Sequence, residues 1–445
     1  MGKMGISGVR EMELLKKIGF TRTAGTAEEE KAANILADEI RAIGCEPVID
    51  AFEIEDANII TASLEILEPY QKTYEVTGYK CAKSTPAEGI EADFVYVENM
   101  IDVNLKNVKG KIVLVNGRVG MDAYKKLIKA EVAAFISMNG TLIDRVEETD
   151  LDIRKIRKTL EAQGLTTAVN VRIADAFEMM QKKASKARII LENQNVTLTS
   201  HNVYTEVKGT EYPDEVIMMG AHYDSVPFSQ GVYDNGAGSV TIMEALRYFK
   251  ANPPKRTVKF AWFGSEEIGL EGSKHYVKAY KEEAERYVLM VNVDVGGIVL
   301  GSDCGIVTGP ECLTHFVDYF MKTEGYPVRI EQDNYSSDCV PFADAGVPSI
   351  SFCRFAAPGA EFMHTRHDCL KFLSGDVLEQ TATHVTAFTD KMANAVAFPV
   401  PHKIPDNIVE KINNYLFKKE MEEVEKKKKE EENKDENKDE KKEEK

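Results

Sequence analysis

Residues 215–249 read EVIMMGAHYDSVPFSQGVYDNGAGSVTIMEALRYF, and their order decides the fold. A short apolar run ends at His222. Polar and glycine-rich residues follow, and then a segment in which Ile242, Met243, Leu246 and Phe249 recur at helical spacing. This is strand, loop, helix. The same alternation returns around TVKFAWFG (257–264), YVLMVNVDV (287–295) and VPSISF (347–352). Over residues 203–400 the pattern predicts an α/β fold: a mostly parallel, mixed sheet covered by helices on both faces.

In such sheets, ligands gather beyond the carboxyl ends of the strands. His222 in GAHYDS, Glu266 and Glu267 in FGSEE, and Asp294 in VNVDV all lie at or just after a strand end. Asp234, in YDNGAG, stands just before a helix, where the helix dipole and free amides favour a carboxylate that stays ionised. MHTRHD (363–368) offers His364 and His367, and composition alone does not choose between them. Two imidazoles and three carboxylates are the usual requirement of a two-zinc hydrolytic site, so the inventory implies a metallohydrolase. Asp224 follows His222 by two residues, on the same face of an extended chain, and is suited to orient that imidazole. Adjacent carboxylates at Glu266 and Glu267 can divide the work, one binding metal and the other moving protons.

Taken singly, each of these residues has a plainer reading. A strand-end histidine is commonly structural, Asp234 could be a helix cap, and an acidic pair could face solvent. Their concentration at successive strand ends favours chemistry. Asp294 closes an apolar strand, where an unpaired charge would be expensive and a cation would remove the penalty.

A chain of 445 residues is long enough for two domains and appendages. Its net charge of −17 argues against broad nucleic-acid affinity, which relies on excess Lys and Arg. The cysteines are Cys45, Cys81, Cys304, Cys312, Cys339, Cys353 and Cys369, odd in number and without a CxxC pair, which points to reduced thiols and a cytoplasmic setting. The first twenty residues lack the apolar run of a secretory signal, and no segment approaches the roughly 20 apolar residues of a membrane span.

Near the amino end, Thr26 and Glu29 form a T-x-x-E capping box, and Gly44 stops a helix whose Ala32, Ile35, Leu36, Ile40 and Ile43 share one face. From about residue 55 to 195 the texture becomes short strands with intervening helices, including GKIVLVNG, then a helix with Leu127 and Ala130 facing a core, then AAFISMNG. Nothing in this stretch gathers metal-type ligands. The expected organisation is residues 1–54 as the first helices of the catalytic domain, 55–195 as an inserted domain, 196–417 as the catalytic domain and 418–445 as a tail. That tail carries 11 Lys and 13 acidic residues with almost no apolar side chain, so disorder is expected from Lys418.

Together GAHYDSV, DNGAG, SEEIGLEGS, VDVGG, SDCVPFADAGVPSI and HTRHD resemble the co-catalytic dizinc aminopeptidase family, which includes glutamate carboxypeptidase II, the glutaminyl cyclases and the transferrin receptor. The likeness runs from about residue 20 to 400. It implies a zinc-peptidase fold with two zinc ions per subunit. His222 and Asp294 would hold one, Glu267 and His364 the other, with Asp234 between them and Glu266 as general base. The family's HT-x-x-D pattern selects His364 over His367 and gives Asp368 a supporting role. Residues 55–195 resemble the protease-associated domain that many members insert, which implies a lid or a substrate-selecting surface. Two positions depart from the pattern: Cys339 stands where many relatives carry His, and Met363 where some carry an aromatic. Tyr335, upstream of Ser337 and Asp338, is a candidate oxyanion donor.

The reading this supports is removal of the first residue from peptides with a free amino terminus, by a water activated between two metals with Glu266 taking its proton. Neither nucleic acid nor membrane is an expected partner, and the oligomeric state is left open. Two other readings are carried. GAHYDSVP also resembles dizinc carboxypeptidases and N-acyl amino acid deacylases, and the transferrin receptor shows that such a fold can serve as a non-catalytic binding protein.

Overall fold

The computed structural model describes residues 5–117, 119–360 and 363–426. In chain order its helices are α1 (Gly8–Ile18), α2 (Ala27–Ile43), α3 (Asp102–Leu105), α4 (Met121–Lys129), α5 (Lys158–Glu161), α6 (Ile173–Gln181), α7 (Ala237–Ala251), α8 (Glu271–Ala279), α9 (Glu311–Glu324), α10 (Cys339–Asp344), α11 (Gly375–Ala393) and α12 (Asp406–Tyr415). Its strands are β1 (Val48–Glu68), β2 (Lys72–Tyr74), β3 (Thr77–Gly78), β4 (Ile90–Val97), β5 (Ile112–Val115), β6 (Ala134–Asn139), β7 (Thr167–Arg172), β8 (Lys186–Val207), β9 (Tyr212–His222), β10 (Arg256–Phe263), β11 (Tyr287–Val293), β12 (Gly301–Thr308), β13 (Val328–Gln332) and β14 (Ser349–Ala356). Two compact units emerge. One holds the described residues up to Ile54 together with Leu198–Leu416, and the other holds Glu55–Thr197 with the described residues after Leu416.

In the first unit the strand order is β13-β12-β14-β11-β9-β10-β8. The central strands β14, β11, β9 and β10 are parallel, while β12 and β8 run antiparallel to β14 and β10, so the sheet is mixed. Both faces are covered. Ile217, Met219 and Ala221 of β9 pack into the larger core with α1, α2, α7, α9 and α11, whereas Val216 and Met218 pack into a second core with α8, α10 and α12. Continuous burial on both faces is why β9 reads as an unbroken apolar run instead of an alternating one.

The second unit orders its strands β4-β5-β6-β7-β3, with β4 to β7 parallel and β3 antiparallel to β7. Ile112 and Leu114 of β5 face one core and Val113 and Val115 the other, with Leu127 of α4 joining the latter.

Helix α2 begins at Thr26, whose hydroxyl accepts from the Glu29 amide at 3.3 Å, and ends at Gly44 with φ +84. The capping box itself is not closed. Glu29 turns away from the Thr26 amide and accepts from the Gly25 amide, the Ser200 and Tyr223 hydroxyls and the His201 amide, because four donors in a buried pocket outweigh one at a helix end. Residues 418–426 are helical, so disorder does not begin at Lys418. Lysines and glutamates four apart, such as Glu422 and Lys426, support a helix without any buried face. The remainder of the expected tail, 427–445, lies outside the described residues. No helix among the described residues is long and apolar enough to cross a membrane.

Candidate metal centre

Parallel pairing puts β9 between β10 and β11, with His222 level with Phe263, so the carboxyl ends of three strands open at one level. His222 closes β9, Glu266 and Glu267 follow β10, and Asp294 follows β11. Asp234 enters from the turn before α7, where the Asp234–Asn235 peptide is cis. His364, with φ +61, enters from the loop between β14 and α11.

Two ligand groups result: His222, Asp234 and Asp294 in one, and Asp234, Glu267 and His364 in the other, each with donor atoms within 4.8 Å of one another. Asp234 belongs to both. Its Oδ1 lies 3.2 Å from His222 Nε2 and its Oδ2 lies 3.1 Å from His364 Nε2. His222 Nε2 is 3.5 Å from Asp294 Oδ1, and His364 Nε2 is 3.1 Å from Glu267 Oε2. His367 joins neither group. It lines a small, partly open pocket with Tyr233, Ile298 and Asp368.

The electrostatics suit a cation. Burial alone would lower the His222 imidazole, but Glu266, Asp224, Asp234 and Asp294 together hold it well above its usual range. His364 likewise rises, to about 11, because Asp234 and Glu267 outweigh burial. Burial, followed by the charge on Asp234, pushes Glu267 up to about 7, and burial pushes Glu266 well above the carboxylate range. Asp294 Oδ1 is buried and lacks a hydrogen-bond partner. Such a crowded acidic pocket with an orphaned carboxylate oxygen fits divalent metal ions, which take the place of the protons it otherwise has to share. His222 and Asp294 fit one ion, Glu267 and His364 the other, and Asp234 has one oxygen for each.

Around these ligands the support is dense. Asp224 Oδ1 lies 3.4 Å from His222 Nδ1, as the spacing in GAHYDS predicts, and the two Asp224 oxygens also accept from the Glu266 and Glu267 amides at 3.0 and 3.3 Å. One aspartate thus ties two strand ends together. The amides of Val232, Tyr233 and Asp234 donate to Asp368 at 3.1, 2.8 and 3.2 Å. The free amides expected to steady Asp234 therefore serve Asp368, which sits in the closed concavity of the turn. Asn235 received no role from its place in DNGAG. Its Oδ1 accepts from Gly238 and Val295 and its Nδ2 donates to Val293, clamping the start of α7 to the end of β11. An amide next to glycines reads as a turn residue, and only the fold reveals the clamp.

The remaining positions divide. Asp338 is fully buried and pushed up to about 7 by burial, within range of the charges on His222 and Asp294. Cys339 is buried, accepts from the Ser351 hydroxyl at 3.1 Å and donates to the Tyr335 carbonyl at 3.5 Å. Its thiol is thereby committed to packing β14 against α10. Burial, then the charge on Asp294, raises the Tyr335 phenol well above its usual range, and Met363 is exposed.

Residues 202–389, which carry all of these ligands, match the sequence pattern described as peptidase family M28. The segment belongs to peptidase family M28. Among relatives of this chain, aminopeptidase YwaD of Bacillus subtilis is 28% identical over 395 residues, covering 84% of this chain and 82% of the relative. Carboxypeptidase Q of Bos taurus is 26% identical over 314 residues, 66% of each chain. The solved structure of BSAP, a zinc aminopeptidase from Bacillus subtilis, superposes with a TM-score of 0.74 at 23% identity, covering 90% of this chain and 100% of that one, which shows a shared fold. Family and ligand set together make the chain a metallopeptidase.

Proposed function

We propose that this M28 peptidase is a dizinc aminopeptidase that removes the first residue from peptides with a free amino terminus. The observation that carries the reading is Asp234, with one carboxylate oxygen in each of two ligand groups and a histidine at each end. Similarity to aminopeptidase YwaD and to the fold of BSAP supports both zinc and the substrate class.

Two zinc ions bound there would polarise the scissile carbonyl and acidify the attacking water. The protein's own groups do the rest. Glu266 follows Ser265 in a left-handed turn (φ +58), its amide is pinned by Asp224, and its carboxylate lies within range of the charges on His222, Glu267 and Asp294. It accepts the water proton and returns it to the leaving amine. Asp224 holds the His222 ring and thereby fixes which nitrogen is free to bind metal. Tyr335 is the donor proposed for the developing oxyanion. Residues 55–195 are proposed as a protease-associated insert, supported by strand-helix-strand units and by the absence of any three-ligand cluster there among the described residues.

Glu266→Gln tests the assignment. Both zinc ions should remain while kcat falls by about 100- to 10,000-fold, and near-normal turnover would refute the role. The carboxypeptidase Q relatives favour a second reading, in which the residue released is carboxy-terminal or amino-blocked. Peptides with free and acetylated amino termini separate the two.

A further inference from the structure

Arg22 lies in the loop between α1 and α2, in the stretch TRTAGT, and its side chain is completely buried. Among the described residues no carboxylate comes within ion-pair distance of its guanidinium. Its donors go instead to five backbone carbonyls. Nε reaches Tyr223, Nη1 reaches Ile18, Phe20 and Gln230, and Nη2 reaches Gly231 at 2.6 Å. The Arg22 main chain adds two more links: its amide donates to the Ser225 hydroxyl at 3.0 Å and its carbonyl accepts from the Ser225 amide at 3.2 Å.

These acceptors are not scattered. Tyr223 directly follows His222 and precedes Asp224, while Gln230 and Gly231 open the turn that delivers Asp234. We propose that Arg22 is a positioning residue for the metal centre, its planar fork setting the path of residues 223–231 and so the placement of His222, Asp224 and Asp234. The backbone is built to admit it. Gly231 has φ +55, and a Cβ there would fall 2.5 Å from Ser225 Cβ and 3.2 Å from Arg22 Nη2. A Cβ on Gly236 would stand 3.5 Å from the same nitrogen and 2.6 Å from a Leu15 methyl.

Charge is part of the role. Burial pushes the guanidinium down to about 10, yet it stays protonated at neutral pH, opposed by the fields of Asp224, Asp368, Asp234 and Glu267. A fixed cation in the fields of these carboxylates offsets part of their mutual repulsion without competing for their oxygens. Lysine can supply the charge but not five donors in one plane.

The inference rests on the two-metal reading, so zinc stoichiometry of the unmodified protein is measured first, and fewer than two ions would overturn that reading independently of any variant. Arg22→Lys and Arg22→Ala are then compared for kcat, KM and zinc affinity by competition with a chromophoric chelator. Arg22→Lys is expected to fold, with KM nearly unchanged and both kcat and zinc affinity reduced by about 10-fold, and Arg22→Ala by about 100-fold. Methylguanidinium added to the alanine variant should restore part of both, a response that a purely structural loss would not show. A lysine variant with unaltered kcat and zinc affinity overturns the proposal. So does an alanine variant that keeps its zinc affinity and ignores methylguanidinium. A lysine variant that does not fold also overturns it, because Arg22 would then serve folding instead of the site.

Discussion

Asp368 shows how much a single side chain can decide at this site. Three consecutive amides, from Val232, Tyr233 and Asp234, converge on its carboxylate, which is nearly buried. Burial still pushes it up to about 6 despite those donors. Asp368→Asn keeps the size but replaces one acceptor oxygen with a donor facing the same amides. Zinc affinity and kcat/KM should each fall by about 10- to 100-fold, read by chelator competition and steady-state kinetics, and an unchanged affinity would show that the turn holds itself. At this scale legibility was uneven. His222, Asp234, Glu266, Glu267 and Asp294 could be picked out because each punctuates the end of an apolar run or the start of a periodic helix. His364 lies in a loop with no periodicity, so the residues alone left it level with His367, and only the HT-x-x-D pattern of a known family singled it out. Arg22 was invisible because its partners are backbone carbonyls, which every residue possesses.

At the scale of elements, the strand-loop-helix alternation was enough to predict the sheet, since β9, β10 and β11 are each buried on both faces. The mixed directions of β12 and β8 depend on how the chain returns, which apolar runs do not encode. Helix α1 packs on α11 through glycines: a Cβ on Gly8 would lie 1.9 Å from the Gly375 carbonyl oxygen. Gly8→Ala should destabilise the protein by about 1–3 kcal/mol through overpacking, measured by urea unfolding, and no loss would mean α1 docks loosely. Within α11, His384 is buried against Tyr326 and Phe352, and burial, then the charge on Arg354, pushes its imidazole down to about 3. The unfolded chain takes up this proton near pH 6.5 and the folded chain does not, so stability is present above that pH and is lost as pH falls towards 3. Replacing His384 with Gln should flatten the stability-pH profile in that window by up to about 1.4 kcal/mol per pH unit. Parallel profiles would contradict the assignment.

For the whole molecule, the concentration of carboxylates in one unit makes metal part of stability as well as chemistry. Without cations, burial raises the Glu266, Glu267 and Asp338 carboxyls, and the surrounding carboxylates raise the His222 and His364 imidazoles against the effect of burial. Chelation should therefore lower the melting temperature, and zinc at 100 times its dissociation constant should restore about 2.7 kcal/mol per site. The net charge of −17 agrees with cationic amino termini as substrates, although charge alone does not choose among peptides. The most direct test is metal analysis of the purified protein coupled to a paired substrate assay. Two zinc ions per chain, with cleavage of leucine p-nitroanilide and none of its acetylated form, is the predicted result. A single metal ion or none, or cleavage confined to the acetylated substrate, would contradict the account.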